Sequence, residues 1–302
     1  MLWLHRYLRL LVVCTLLLIA AGGMVTSTHS GLAVPDWPTT YGYSMFTFPA
    51  SKMVGGIFYE HGHRLIASGV GFLTIGLAVW LWRADARRWM RRLGIIALAA
   101  VIVQGILGGL TVRYFLPAPI SIGHAGLAQL FFCLTVSLAL FTSRSWLVAA
   151  TPAVDDARLR HRMVLLTALV YGQILLGATM RHVGAGLAIP DFPLAFGHVL
   201  PPVWTPQIAL HFAHRVGAMI VTIVALVNVG YIWTRHRGRP ELVRPAWMLV
   251  LAVAIQVSLG AAVVLSGKQP IINTLHVATG ATVLAISLFL TLRTFRVRFA
   301  MG

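Results

Sequence analysis

Long apolar runs recur along this chain, each bounded by arginines or by clusters of proline, glycine and aromatic residues. A helix that crosses a bilayer needs about 20 mostly apolar residues. Eight stretches qualify, at roughly 8–28, 57–82, 94–112, 120–142, 163–182, 209–233, 246–266 and 271–292. The pattern predicts an all-α integral membrane protein with eight transmembrane helices. The connections on one side are short and rich in arginine. Two on the other side, about 29–56 and 183–208, are long and carry proline, glycine and aromatics rather than a disordered composition. They read either as lids folded over the helix ends or as ordered connectors.

The chain repeats itself. GLAVPDWP at 31–38 returns as GLAIPDFP at 186–193, and EHGHR at 60–64 returns as HFAHR at 211–215. Gln104 to Gly109 is matched by Gln256 to Ala261, and His124 by His276. A nearly constant shift of about 150 residues implies two copies of one structural unit. Eight helices then divide into tandem four-helix bundles, 1–150 and 151–302. An even number of helices per copy keeps the orientation, so this is a parallel repeat about an axis along the membrane normal.

Composition agrees: hydrophobic residues make up 58% of the chain, charged residues 10%, and mean hydropathy is +0.84. With the N-terminus inside, most of the 24 Lys and Arg fall on inner segments, while the outer side keeps only Lys52, Arg64, Arg113, Arg181, Arg215 and Lys268. That is the positive-inside bias, and it predicts a bacterial inner membrane location with both termini cytoplasmic. It also accounts for the net charge of +17 without nucleic acid, because arginines at helix ends face anionic lipid headgroups. The first apolar run resembles a signal peptide. Because 22–38 aligns with 177–193 as part of the repeat, it reads as a retained helix. Cys14 and Cys133 both fall in apolar spans and offer no outer-loop disulfide.

The candidate chemistry lies in the histidines. His5, His161 and His236 sit among inner arginines and read as solvated, and His29, His182 and His198 lie in or beside the outer loops. His63, His124, His214 and His276 differ, since each lies near the outer start of an even-numbered helix. Ionisable side chains inside a span are costly and mark function. Two histidines facing each other across a helix bundle can ligate a haem iron from both sides. Zinc wants three or four ligands, and only Glu60 is placed to join His63 and His124. Gly105, Gly108, Gly109, Gly217 and Gly280 either leave room for a flat macrocycle or serve close helix packing. Arg64 and Arg215, directly after their histidines, suit the carboxylates of haem propionates or snorkel to lipid phosphate. The copies differ at Glu60, whose counterpart is His211. Glu60 shares a helix face with His63; it reads either as an acid suited to proton transfer or to stabilising a positive intermediate, which assigns chemistry to the first copy and electron transfer to the second, or as a residue that only hydrogen-bonds a loop near the surface.

Taken together, the E-x-x-H-R of Glu60 to Arg64, the H-x-x-H-R of His211 to Arg215, the paired downstream histidines and the doubled GLA-x-PD-x-P resemble the haem A synthase family over nearly the whole chain. The resemblance implies an eight-helix oxidoreductase that converts a methyl group of haem O to the formyl group of haem A for terminal cytochrome oxidases. It implies that His63 and His124 flank the substrate haem and that His214 and His276 ligate a haem b cofactor. A haem O synthase and an electron acceptor would be its partners. Some members carry an outer-loop cysteine pair, which this chain lacks. The other reading is a non-catalytic dihaem b membrane electron carrier, for which Glu60 would be superfluous.

Overall fold

The structure, a computed structural model, describes residues 2–148 and 154–299; the expected boundary between residues 150 and 151 lies outside them. Eight helices in the described chain are long and apolar enough to cross a membrane. They are α1 Leu2–Ser27, α2 Gly56–Ala84, α3 Arg88–Arg113, α4 Ala118–Phe141, α5 Ala157–His182, α6 Pro206–His236, α7 Pro240–Leu265 and α8 Pro270–Phe299. No strand occurs among the described residues. The fold is all-α, and the protein is a multi-pass membrane protein.

Most helices run further than their apolar windows, especially at the arginine-rich ends. α1 already includes His5, Arg6 and Arg9, and α5 begins six residues before its apolar run. Backbone hydrogen bonding continues past the last apolar residue, because arginine stems cover apolar surface while their heads reach outward. Local chemistry sets the starts. Asp156 caps α5 by accepting from the Leu159 amide at 2.9 Å. Thr205 caps α6 through the Ile208 amide at 3.2 Å, ahead of Pro206 in the first turn. Gln269 accepts from the Ile272 amide at the start of α8.

The chain parts into two compact units. The first holds α1, α2, α3 and α4 through Ala139, together with Gln269–Ala278 at the start of α8; the second holds Leu140–Lys268 and α8 from Thr279. Within the first, α2 packs against both α1 and α3, and α6 does the same for α5 and α7 in the second. α1 shows how one helix serves core and lipid. Leu4, Leu8, Leu11, Thr15 and Ile19 form a buried stripe at helical spacing, while Leu10, Val13 and Leu17 are exposed. Polar residues on buried stripes bond their own helix, as Thr15 does to the Leu11 carbonyl at 2.7 Å and Thr74 to Val70 at 2.8 Å.

Several arginines at the basic end bind protein rather than standing free for lipid. Arg293 donates to the Ser145 carbonyl at 3.0 Å, Arg296 to the Trp146 carbonyl at 2.8 Å, and Arg162 to Asn228 Oδ1 at 2.9 Å. His236 is not a solvated residue: its Nε2 lies 2.9 Å from Asp156 Oδ2, the oxygen that also accepts from Tyr231 at 3.0 Å.

The α2–α3 turn is built on Asp85, which is fully buried. It accepts from the Arg87 amide at 3.0 Å, Nε at 2.9 Å and Nη2 at 2.7 Å. Burial pushes its pKa up, but the Arg87 hydrogen bonds and the charges of Arg87 and Arg91 outweigh it and hold the carboxyl below its ordinary value. Asp85→Ala removes the acceptor of three donors and should cost about 1–3 kcal/mol. That loss would be read as a lower midpoint of thermal unfolding in detergent, with Asp85→Asn losing less.

Candidate functional site

The two long loops have the same internal build. In the first, Thr40 and Tyr43 exchange backbone hydrogen bonds of 3.0 Å around Tyr41 and Gly42, both at positive φ. In the second, Ala195 and His198 do so around Phe196 and Gly197. Two successive positive φ values define a type I′ turn, which glycine tolerates at its second position. The first position carries an aromatic residue in each copy, and an aspartate holds it there. Asp36 accepts from the Tyr41 amide at 2.7 Å, the Gly42 amide at 2.9 Å and the Thr39 hydroxyl at 2.5 Å. Asp191 accepts from the Phe196 and Gly197 amides, both at 2.8 Å. This is the task of the aspartate in GLA-x-PD-x-P.

An arginine from the following helix then clamps each loop. Arg64 donates to the carbonyls of Val34 at 3.0 Å, Asp36 at 2.8 Å and Thr39 at 3.1 Å. Arg215 donates to those of Ile189 at 3.1 Å, Asp191 at 2.6 Å and Leu194 at 2.8 Å. These are the same three positions of the repeat. The Nη groups expected to face haem propionates are therefore engaged with the loops, and at Arg215 the buried Nε is the donor left without a partner.

Glu60 and His211 also share a task. Glu60 is 4% exposed; its Oε2 accepts from the Val34 amide at 2.8 Å and its Oε1 from Arg64 at 2.7 Å. His211 Nδ1 accepts from the Ile189 amide at 3.2 Å, the position equivalent to Val34. Both side chains latch a loop to a helix, one as a carboxylate paired with its arginine and one as a ring with no charge to offer it. His61 adds a second latch in the first unit, with its Nδ1 3.0 Å from the Thr40 hydroxyl. Trp37, from the same loop, lies over Gly109 of α3, where a Cβ would overlap the indole. The loops are thus folded onto the helix ends rather than strung between them.

Beneath the first loop, His63 of α2 and His124 of α4 are near enough to interact electrostatically. Each ring packs its Cε1 edge on a glycine of a neighbouring helix. A Cβ at Gly22 would sit 3.1 Å from His63 Cε1, and one at Gly108 would sit 3.2 Å from His124 Cε1. Both Nδ1 atoms are buried without a hydrogen-bond partner, as are Gln104 Oε1 and Ser121 Oγ. Buried polar atoms rarely stay unpaired, so this is a polar site shaped for something it binds. Gly105 has open space beside it. Among the described residues no three His, Cys, Asp or Glu side chains gather as a metal cluster, so the donor set to be explained is a pair of imidazoles.

In the second unit His214 is seated on Gly177, where a Cβ would come within 2.9 Å of its Cε1. Gln173 Nε2 donates to the His214 carbonyl at 2.7 Å and lies 3.0 Å from its Nδ1. A cavity of about 200 Å³ opens beside them, lined by Ala168, Gly172, Gln173 and Leu176 of α5 with Gly217 and Val221 of α6. His276 lies in the second turn of α8, in the segment whose contacts group it with the first unit. The structure thus brings His63, His124, Glu60 and Arg64 together in one unit, and His214 with Arg215 in the other. Sequence reasoning passed over Gly22, Gly177 and Gln173, although each stands at helical spacing from residues in the repeat.

Eight spanning helices, repeated loop clamps and buried imidazoles define a membrane protein with histidine sites beneath its loops. Residues 5–288 match the cytochrome oxidase assembly protein family, and the chain belongs to it. It is 32% identical over 272 residues to a Heme A synthase of Shouchella clausii, covering 87% of this chain and 88% of that one. It is 28% identical to a Heme A synthase of Halalkalibacterium halodurans, covering 90% and 92%, and 32% identical to one of Symbiobacterium thermophilum, covering 82% and 80%.

The loops carry a pH dependence. The Gly42 and Tyr41 amides and the Thr39 hydroxyl outweigh the effect of burial and hold Asp36 below its ordinary pKa; the Gly197 and Phe196 amides do so for Asp191. A lowered folded-state pKa means that the stabilisation is complete at neutral pH and is lost as pH falls through that lowered value. Protection of the Tyr41, Gly42, Phe196 and Gly197 amides from hydrogen exchange should hold down to about pH 4 and collapse below it. Asp36→Asn should lower protection in the first loop alone, already at neutral pH.

Proposed function

We propose that this protein is a haem A synthase, an oxidoreductase that converts a methyl group of haem O to the formyl group of haem A. The observation that carries this reading is the His63–His124 pair, two glycine-seated imidazoles whose Nδ1 atoms have no partner. The relatives named Heme A synthase, aligned over most of their length, support it. They lend nothing to the alternative of a non-catalytic dihaem carrier.

In this reading the substrate haem O is held in the first unit by His63 and His124. His214 and His276 hold haem b, which supplies electron transfer when bound. The residues present fit such groups: the glycine seats admit the rings, and the buried Arg215 Nε is a donor suited to a propionate. Arg64 serves the substrate site by holding the first loop over it. The asymmetry of the arginines along the chain supports cytoplasmic termini, and the bacterial relatives support a bacterial inner membrane location. A haem O-producing enzyme and an electron acceptor are the partners this chemistry needs.

The reaction oxidises one carbon twice, from methyl to alcohol and from alcohol to a hydrate that loses water to give the aldehyde. Balanced with water as the oxygen donor, each oxidation adds one water oxygen to the carbon and releases two electrons to the acceptor and two protons, and the protons need a carrier in a dry site. Glu60 is that carrier. It stands three residues from His63 on the same helix and is already bound by a cation and an amide. Taking up a proton weakens its bonds to Arg64 and Val34, so proton transfer and the seating of the first loop are coupled through one carboxylate.

Haems extracted from the protein purified beside a haem O source should include haem A or its alcohol precursor together with haem b. Two equivalents of unmodified haem b and no oxidised product would overturn the synthase in favour of the carrier. Glu60→Gln and Glu60→His should each lower turnover about 100-fold or more at unchanged haem content. The histidine variant reproduces the latch of the second unit, so near-normal turnover there would reduce Glu60 to a structural role.

A further inference from the structure

α3 and α7 end in the same turn. After α3 the Leu116 amide donates to the Thr111 carbonyl at 2.7 Å and the Phe115 amide to that of Val112 at 3.2 Å. After α7 the Lys268 amide donates to Val263 at 2.8 Å and the Gly267 amide to Val264 at 3.1 Å. These are the two bonds of a Schellman motif. All four turn residues stand at positive φ, Leu116 at 59° and Lys268 at 66°, where side chains are uncommon. The backbones match across the repeat and the side chains do not. Phe115 and Leu116 of the first unit stand against Gly267 and Lys268 of the second.

In each unit the second of these side chains lies on the first glycine of GLA-x-PD-x-P. A Cβ at Gly31 would be 3.4 Å from Leu116 Cδ1, and one at Gly186 would be 3.4 Å from Lys268 Cδ. The lysine thus follows the path of the leucine and carries an ammonium beyond it. That ammonium makes no hydrogen bond or ion pair with the described residues. The charges below it differ as well. In the first unit Arg64 is paired with Glu60 at 2.7 Å, and Lys52 is engaged with the Tyr43 hydroxyl at 3.1 Å. In the second, His211 stands in place of the acid. Its ring meets the Ile189 amide and the Ala185 backbone, one residue from Gly186. Arg215 therefore has no carboxylate where Arg64 has one, and its buried Nε is unpaired. Beside its GLA segment the second unit offers two cationic donors, where the first has an ion pair and a leucine.

We propose that Lys268 and the Nε of Arg215 hold the propionates of the haem in the second unit, and that Leu116 leaves the haem of the first unit without this hold. The proposal rests on the haem reading of the histidines. Haem O and haem b carry the same two propionates, so a cation at the mouth cannot choose between them. It sets how firmly either is kept, because hydrogen bonds between ionised partners are roughly twice as strong as neutral ones. A cofactor that stays through every turnover gains from such a hold. A substrate that enters as one haem and leaves as another is better served by an apolar side chain at the same place.

The test uses the full chain in detergent, loaded with iron protoporphyrin IX or with its dimethyl ester, whose propionates carry no charge. His124→Ala or His214→Ala in the background leaves one site at a time to be loaded, and the readout is the rate of haem loss to apomyoglobin. Lys268→Leu should speed loss of the free acid from the second site about 5-fold, and Lys268→Arg should leave it slow. Leu116→Lys should slow loss from the first site by a similar factor. Neither change should alter loss of the ester. An unchanged free-acid rate in Lys268→Leu overturns the proposal while leaving the haem sites intact. An effect that survives esterification, or that appears only with added phosphatidylglycerol, assigns the ammonium to the loop or to lipid phosphate and overturns it too. Failure of the unsubstituted protein to bind haem overturns the haem reading itself, and this proposal with it. Each swap installs the side chain that the other unit already carries in this turn; should Lys268→Leu lose its helical circular dichroism, Leu116→Lys decides alone.

Discussion

A guanidinium buried at the end of a membrane helix must find acceptors, and in this protein it finds them in the backbone of the preceding loop. Arg64 and Arg215 each hold three loop carbonyls at equivalent positions of the repeat. Each arginine directly follows the histidine of its unit, so the bond that seats the loop also fixes where the loop lies over that histidine. Everything else near the sites is arranged around this contact. The aspartate shapes the turn so that its carbonyls converge, and Glu60 or His211 takes the amide of the first clamped residue, Val34 or Ile189. Trp37 then rests on Gly109 because the clamped loop carries it there.

The scarcity of acids explains why carbonyls do so much of this work. The chain has 24 Lys and Arg against 7 Asp and Glu. Asp85 and Asp156 are spent organising a turn and a helix start, so arginines such as Arg293 and Arg296 turn to backbone oxygens. In a dry environment a satisfied carbonyl–guanidinium bond avoids the cost of an unpaired polar group. The basic end of the molecule is stitched together in this way, and surface charge there is also structure.

Duplication supplied two equivalent scaffolds, and a few substitutions distinguish them. Glu60 against His211 changes the charge of a latch without changing its geometry. The change leaves the loop clamp in place in both units.

The eight helices were legible in the sequence because bilayer thickness sets the length of an apolar run, and the repeat was legible because two copies preserved the same turn and clamp residues. The four histidines stood out because an ionisable group in a span needs a reason. The helix ends were less legible, since hydrogen bonding runs on past the apolar residues into arginines that hydropathy counts as loop. What the arginines bind was not legible at all. A guanidinium beside a histidine suits a propionate and a carbonyl equally well by type, and only the tertiary path of the loop brings Val34, Asp36 and Thr39 within reach of Arg64. The shared task of Glu60 and His211 was hidden for the same reason: an acid and an imidazole look unlike in a sequence, and they become equivalent only when the same loop amide points at both. Sequence by itself determined which residues lie in the membrane and which recur. The tertiary structure decided what each polar group is bonded to, because hydrogen bonds depend on distances that spacing along the chain does not set.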